Sequence, residues 1–102
     1  MENHEALKMV KEAVHEVDDK AEIILYGSRA RGDHRKESDW DFLILTEIEE
    51  DHDLRKTIWE KLFHVELKTG EVFSAIIHSR KNWSNYKVTP LYNFIEDEGI
   101  TV

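Results

Sequence analysis

Residues 27–41, GSRARGDHRKESDWD, decide the fold of this chain, because they join two apolar segments through a glycine turn and a charged loop. The apolar segment before them, 21–26, predicts a short buried strand. The segment 39–45 predicts a second strand, and its apolar run favours a central position in a sheet over an exposed edge. The stretch therefore connects two strands of one sheet.

The two aspartates of this stretch are spaced to act together. Side chains alternate along a strand, so Asp39 and Asp41 are expected on one face and Trp40 and Phe42 on the other. The Cα atoms of residues two apart in a strand lie about 6.5–7 Å from each other. Carboxylate oxygens at that separation can share one hard cation such as Mg²⁺. A strand cap and a solvent-facing edge residue are the alternative interpretation.

The Gly-Ser pair predicts a turn that suits a phosphate. Gly27 allows backbone conformations closed to other residues and lets a ligand approach the main chain. Ser28 is predicted to cap a helical turn over 29–31, with Gly32 as its stop. The segment matches neither the Walker loop nor the Rossmann fingerprint, and a Gly-Ser pair alone is weak evidence. Its value depends on the carboxylates that follow.

Helices alternate with strands along the rest of the chain. Apolar spacing and turn residues predict helices over 5–17, 53–67, 79–86 and 90–98 and a third strand over 72–77. In the last helix, Leu91, Phe94 and Ile95 are expected to point inward, and the tail 99–102 could add an edge strand. The expected fold is a small α/β (α+β) sandwich, with a mixed sheet of three to four strands and helices packed on it.

Composition sets outer limits on function. The chain has 102 residues, no cysteine and a net charge of −8, which argues against broad nucleic-acid binding and against a disulfide framework or zinc–thiolate site. It has no apolar run long enough for a membrane span and no signal-peptide core. We therefore expect one cytoplasmic domain over residues 1–102.

A local basic cluster interrupts the acidic background. It lies in the loop between the turn and the aspartates and comprises Arg29, Arg31, His34, Arg35 and Lys36. Such a cluster could steer a small polyanion such as a nucleotide. An ordinary solvated loop explains the same composition equally well, and both interpretations stay open.

The order of these features resembles a known family. A strand, Gly27-Ser28, a basic helical turn, Ser38-Asp39-Trp40-Asp41 and an apolar strand together resemble the nucleotidyltransferase superfamily that includes DNA polymerase beta. The length resembles its minimal members, which consist of little more than the catalytic domain. The motif covers about fifteen residues, and the order of elements extends the resemblance across most of the chain.

The resemblance implies a metal-dependent transfer of a nucleoside monophosphate. Asp39 and Asp41 would be the catalytic residues and would bind Mg²⁺ or Mn²⁺. Arg29 or Arg31 could contact phosphate, although either could equally be solvated. The nucleotide-binding residues that the resemblance implies are Gly27, Ser28, Arg29, Arg31 and Ser38.

The third carboxylate of the family is the departure. The family usually places an acid on the next core strand, and Ser74 occupies that place by our alignment. Glu66 and Glu71 lie nearby in sequence but are more simply explained as solvated. His78, near the end of the strand, is a conceivable proton acceptor, although lone histidines are more often structural.

The resemblance leaves two main functions open. One is transfer of AMP from ATP to a hydroxyl, such as a tyrosine of a helical HEPN partner in a toxin–antitoxin pair. The other is a weak or inactive nucleotide-binding partner module that lacks the third acid. Transfer to an aminoglycoside is less attractive, because nothing beyond the catalytic core would shape a drug pocket. A purely structural domain is the remaining alternative for function. For the partners of the chain, a homo-oligomer is a further alternative.

Overall fold

The chain folds into a four-stranded sheet with helices on both faces. The computed structural model describes residues 3–49 and 51–102. The helices are α1 (Asn3–His15), α2 (Ser28–Arg31), α3 (His52–Thr69), α4 (Arg80–Trp83) and α5 (Pro90–Glu98), with a 3-10 turn at Ser84–Tyr86. The strands are β1 (Glu22–Tyr26), β2 (Trp40–Thr46), β3 (Phe73–Ser79) and β4 (Ile100–Thr101).

The sheet is mixed, as the sequence predicts. Its strand order is β3-β2-β1-β4. The central strand β2 runs antiparallel to β1 and parallel to β3, and the short β4 pairs antiparallel with the other side of β1. The expected fold class is confirmed. The expectation of one domain over 1–102 stays a prediction, and it includes residues 1, 2 and 50, which lie outside the described residues.

The two faces of the sheet have separate cores. Strand residues such as Phe42 and Ile44 face α1 and α3, where they pack against Val10 and Ile58. The opposite face packs against α4 and α5. Its core consists of Leu43, Leu45, Trp83 and Ile95. Asp41 lies two residues before Leu43 in β2, so its side chain is on this second face as well.

Part of the expected packing of α5 is wrong. Ile95 is buried, but Leu91 and Phe94 are 39% and 45% exposed. The Tyr92 ring takes the inward position in the first turn, where it stacks on Trp83 with ring centroids 5.1 Å apart. This aromatic pair fills the space over the sheet that Leu91 was expected to fill.

No helix in the described part of the chain is long and apolar enough to cross a membrane.

Candidate active site

The two aspartates lie where the N-terminal end of β2 meets its neighbours. Asp41 pairs with Tyr26 across the antiparallel ladder and with Ser74 across the parallel one. Asp39 lies just before β2 and is exposed. Trp40 and Phe42 are 2% and 0% exposed in the core of the opposite face. The alternation that the sequence predicts is therefore present, and both carboxylates belong to the second face.

Gly27 connects β1 to α2 in a conformation that only glycine adopts readily. Its φ of 77° and ψ of −159° lie in the region that side-chain-bearing residues avoid. Gly27 is itself the N-cap of α2, so the expected cap at Ser28 is wrong by one residue. A Cβ atom at Gly27 would overlap Asp41 Oδ2, so this position has room only for glycine. The predicted stop at Gly32 is confirmed by its left-handed conformation, φ 84°.

Charge accumulates around Asp41. Burial raises the pKa of Asp41 above its usual range, and the negative charges of Asp39 and Glu98 raise it further, while Arg31 opposes them. Burial also raises the pKa of Tyr26, and the negative charge of Asp41 raises it further. The site thus holds carboxylates whose charge is incompletely balanced, an arrangement that favours a bound cation.

Glu98 is a site residue that the sequence did not predict. It ends α5, and its Oε1 accepts a hydrogen bond of 2.8 Å from the Gly27 backbone N–H, 71 positions earlier in the chain. Arg31 Nη1 lies 3.2 Å from Glu98 Oε2. The feature of the sequence that could have located Glu98 is the tail 99–102. If this tail forms an edge strand on β1, the residue before Gly99 is brought toward the end of β1.

Arg29 holds the loop before the aspartates. Its guanidinium donates to the Lys36 carbonyl at 3.0 Å and to the Ser38 carbonyl at 2.9 Å. It also lies over the Trp40 ring, 4.4 Å from the centroid, and 3.6 Å from Glu71. Its side chain is only 4% exposed. The predicted phosphate contact of Arg29 stays a prediction, while these contacts fix the approach of the chain to β2.

Arg31 and Ser38 have different surroundings. Arg31 is 42% exposed and bridges Asp33 and Glu98. The Ser38 hydroxyl accepts a hydrogen bond of 2.8 Å from the Arg35 backbone N–H, which closes the turn before Asp39. Of these two, Arg31 is the residue with donors near the Gly27 turn. The nucleotide contacts of both stay predictions.

Comparison with known proteins agrees with this geometry. The profile of the nucleotidyltransferase domain family matches residues 7–100. A protein of Methanocaldococcus jannaschii, provisionally named a protein adenylyltransferase, is 36% identical in an alignment 91 residues long; the match covers 78% of this chain and 86% of that protein. This chain belongs to the nucleotidyltransferase domain family. The resemblance to its minimal members is confirmed.

A solved structure shares the fold of this nucleotidyltransferase domain. It is a crystal structure of a toxin–antitoxin with AMP-PNP, with a TM-score of 0.67 and 18% identity. The match covers 98% of this chain and 72% of that one. At this identity the likeness shows the common architecture of sheet and helices.

The family's third acid has no evident counterpart on β3. Ser74 is the residue beside Asp41. Glu66 accepts a hydrogen bond of 2.8 Å from the Phe73 N–H, and Glu71 accepts one of 3.1 Å from the Trp40 indole, which belongs to the opposite face. His78 lies four residues beyond Ser74, about 13 Å along the strand. Neither glutamate nor the histidine is placed beside Asp41.

The carboxylates fit a hard cation that also binds phosphate. Mg²⁺ and Mn²⁺ take carboxylate oxygens, and a cation would relieve the repulsion between Asp39 and Asp41. Within residues 3–49 and 51–102, no group of three or more His, Asp or Glu is arranged to hold a metal ion. Mg²⁺ commonly keeps water and takes substrate phosphates beside one or two carboxylates. The donor set fits a cation that arrives with a nucleotide.

Proposed function

We propose that this nucleotidyltransferase domain moves AMP from ATP to a hydroxyl group, with Mg²⁺ or Mn²⁺ bound by Asp39 and Asp41. The observation that carries this proposal is the contact of the Asp41 carboxylate with the Gly27-Ser28 turn. The main chain that we assign to phosphate and the carboxylates that we assign to the metal are thereby neighbours. The name of the M. jannaschii relative and the AMP-PNP of the toxin–antitoxin structure support the choice of adenine nucleotide.

The residues of the chain have separate tasks in this reaction. The first amide groups of α2, at Ser28 and Arg29, have no acceptor within their own helix and are available for phosphate oxygens. Arg31 supplies a positive charge from the exposed side. The bound metal, when present, would neutralise charge on the phosphates. The acceptor oxygen bonds to the α-phosphorus as its proton passes to water, the α–β bridging P–O bond breaks, and pyrophosphate leaves.

The acceptor is proposed to be a hydroxyl of a partner protein, specifically a tyrosine of a helical HEPN-type protein. The exposed face of α3 carries an apolar stripe of Trp59, Phe63 and Leu67, which are 50%, 55% and 67% exposed. Large apolar side chains at four-residue spacing on a helix surface are suited to contact another helix. Because α3 covers the face of the sheet opposite to Asp39 and Asp41, this contact would hold the partner and would not itself place the tyrosine. The toxin–antitoxin structure of the same fold supports a protein partner.

A transfer assay tests the proposal. The protein is incubated with α-³²P-labelled ATP, Mg²⁺ or Mn²⁺ and the candidate partner, and label on the partner is measured. We expect transfer that chelation abolishes and that Asp41→Asn lowers at least about a hundredfold, the scale of a lost metal or oxyanion contact. Asp97→Asn, which removes an exposed carboxylate of α5, is the matched control. Metal-independent labelling, or equal labelling by Asp41→Asn, would contradict the proposal.

A partner module without transfer is the second candidate function. The observation that favours it is Ser74 beside Asp41, where the family usually has an acid. In that case the protein binds the nucleotide and the partner protein, and it changes the partner's activity without transferring AMP to it. Intact mass of the partner separates the candidates: AMP addition supports the transferase, and an unchanged mass in a stable ternary complex supports the module.

A further inference from the structure

The carboxylate of Glu98 is held by hydrogen-bond donors that would also bind an anionic ligand. It accepts from the Gly27 N–H at 2.8 Å and lies against the Arg31 guanidinium at 3.2 Å, and its side chain is only 16% exposed. A backbone amide beside an arginine is an arrangement that binds carboxylate and phosphate oxygens alike. In this structure the anion bound there is a side chain of the protein itself.

Tight packing against β1 fixes the backbone that follows Glu98. A Cβ atom at Gly99 would lie 2.7 Å from Ile24 Cγ2 and 2.5 Å from the Ile95 carbonyl oxygen, so the end of α5 lies directly against β1. Beyond Gly99, the Val102 N–H donates to the Ile23 carbonyl at 2.9 Å. The backbone next to Glu98 is therefore anchored, and release of Glu98 from the Gly27 turn requires only a change of its side chain.

Electrostatics disfavours a carboxylate at this place unless its donors compensate. Glu98 is the last residue of α5, where the helix dipole is negative. It also faces Asp41, which Gly27 contacts directly. Gly27 and Arg31 offset these repulsions, and both belong to the same turn as the Ser28 and Arg29 amides that are assigned to phosphate above.

We propose that Glu98 is an internal competitor for the phosphate position of the nucleotide, and that it sets nucleotide affinity by having to leave when phosphate binds. This inference rests on the proposed function, since it assigns the Gly27 turn to phosphate. On binding, the Gly27 N–H and Arg31 exchange the Glu98 carboxylate for a phosphate oxygen. The side chain of Glu98 then turns toward solvent at the end of α5.

Three variants test the competition by calorimetric titration with ATP in the presence of a chelator. Glu98→Gln keeps the size of the side chain but weakens its hold on Arg31. Glu98→Asp keeps the charge but is one methylene too short for the same contact. We expect both to bind ATP about tenfold more tightly than the wild type, a change of about 1.4 kcal/mol. Glu96→Gln, an exposed acid of the same helix, is the charge control and should differ by less than about twofold.

The other outcomes are distinct. Tighter binding by Glu98→Gln but not by Glu98→Asp would show simple charge repulsion and overturn the inference. Weaker binding by Glu98→Gln that appears only when Mg²⁺ is added would make Glu98 a metal ligand and also overturn it. Equal ATP affinity in all folded variants would refute the competition while leaving the proposed function intact. Absence of ATP binding by every variant, with and without Mg²⁺, would refute both.

Discussion

Gly27 and Asp41 are in contact where β1 and β2 meet, and the contact leaves no space for a side chain at position 27. Gly27 directly follows β1, and Asp41 of β2 pairs with Tyr26, the last residue of β1. The antiparallel register thus brings the turn and the carboxylate together. The site depends on this register, because a slip of one residue would turn Asp41 to the opposite face.

Gly27→Ala is expected to damage both folding and binding. The alanine would have to adopt a backbone region that costs about 1–3 kcal/mol for side-chain-bearing residues, and its Cβ would displace the Asp41 carboxylate. Urea unfolding measures the loss of stability, and titration with ATP and Mg²⁺ measures the loss of affinity.

Gly32→Ala is the matched control for this substitution. Gly32 also has a positive φ, but nothing lies within 4 Å of a Cβ atom placed there. We expect a stability loss of about 1–2 kcal/mol from the left-handed backbone and unchanged ATP affinity. Equal ATP affinity for the wild type and folded Gly27→Ala would show that the contact with Asp41 is unimportant for binding.

Local patterns were sufficient to predict half of the site. The alternation that separates Asp39 and Asp41 from Trp40 follows from strand geometry alone. The glycine at position 27 likewise predicts the turn, although the pattern favours a cap at Ser28, one residue from the cap that the structure shows. These features are set by neighbours in sequence, where periodicity and turn chemistry are informative.

Long-range contacts account for what was not predicted. Glu98 reaches Gly27 because β4 pairs with β1, and a two-residue strand has almost no sequence signature. Arg29 is buried by the flat Trp40 ring and by carbonyl groups of the following loop. Composition gave only a choice between a phosphate contact and a solvated residue. In both cases the partner that a charged side chain meets depends on the tertiary structure.

Arg29→Lys is expected to destabilise the protein by about 2 kcal/mol. Lysine keeps the positive charge but lacks the planar fork that bonds two carbonyl groups and stacks on Trp40. Hydrogen bonds to charged groups contribute about 1.5–3 kcal/mol each, part of which lysine retains. Urea unfolding followed by circular dichroism measures the change, and Arg35→Lys at an exposed position of the same loop should have almost no effect.

The same variant tests the phosphate role of Arg29. If Arg29 acts by holding the loop, Arg29→Lys loses stability with or without ATP, and ATP protects it from thermal unfolding nearly as well as it protects the wild type. A full loss of ATP protection in a variant of unchanged stability would instead assign Arg29 to the nucleotide.

Asp18 lies away from the candidate active site and makes the free energy of unfolding depend on pH. Its carboxylate accepts backbone N–H bonds from Lys20, Glu47 and Ile48, of 3.0, 2.8 and 3.1 Å. Burial acts to raise the pKa of Asp18, but these hydrogen bonds, with the charge of Arg80, outweigh it and hold the pKa below its usual value. The bonds connect the turn after α1 to the end of β2.

The lowered pKa fixes the direction of the pH effect. An acid with a lower pKa in the folded state stabilises the fold above its unfolded pKa, near 3.8, and loses that contribution as the pH falls through the folded value. Asp18→Asn should therefore cost about 1–3 kcal/mol at pH 7 and progressively less below about pH 4. Urea unfolding across this pH range checks it. The exposed neighbour substitution Asp19→Asn should show no such trend, and a constant Asp18→Asn deficit at all pH values would contradict the assignment.

Ser74→Asp is expected to increase AMP transfer by about tenfold or more, a change of at least about 1.4 kcal/mol in the activation free energy. The parallel register places position 74 beside Asp41 on the face that holds both aspartates.

A third carboxylate at position 74 would add a metal ligand, but without metal it would add repulsion to a site in which the pKa of Asp41 is already raised. The variant should therefore have a lower Tm than the wild type in a chelator and gain more stability on addition of Mg²⁺. Ser74→Asn, which has the same shape without the charge, should show neither change. If Ser74→Asp folds, gains Mg²⁺-dependent stability and still transfers no faster, then the missing acid on β3 does not limit the reaction.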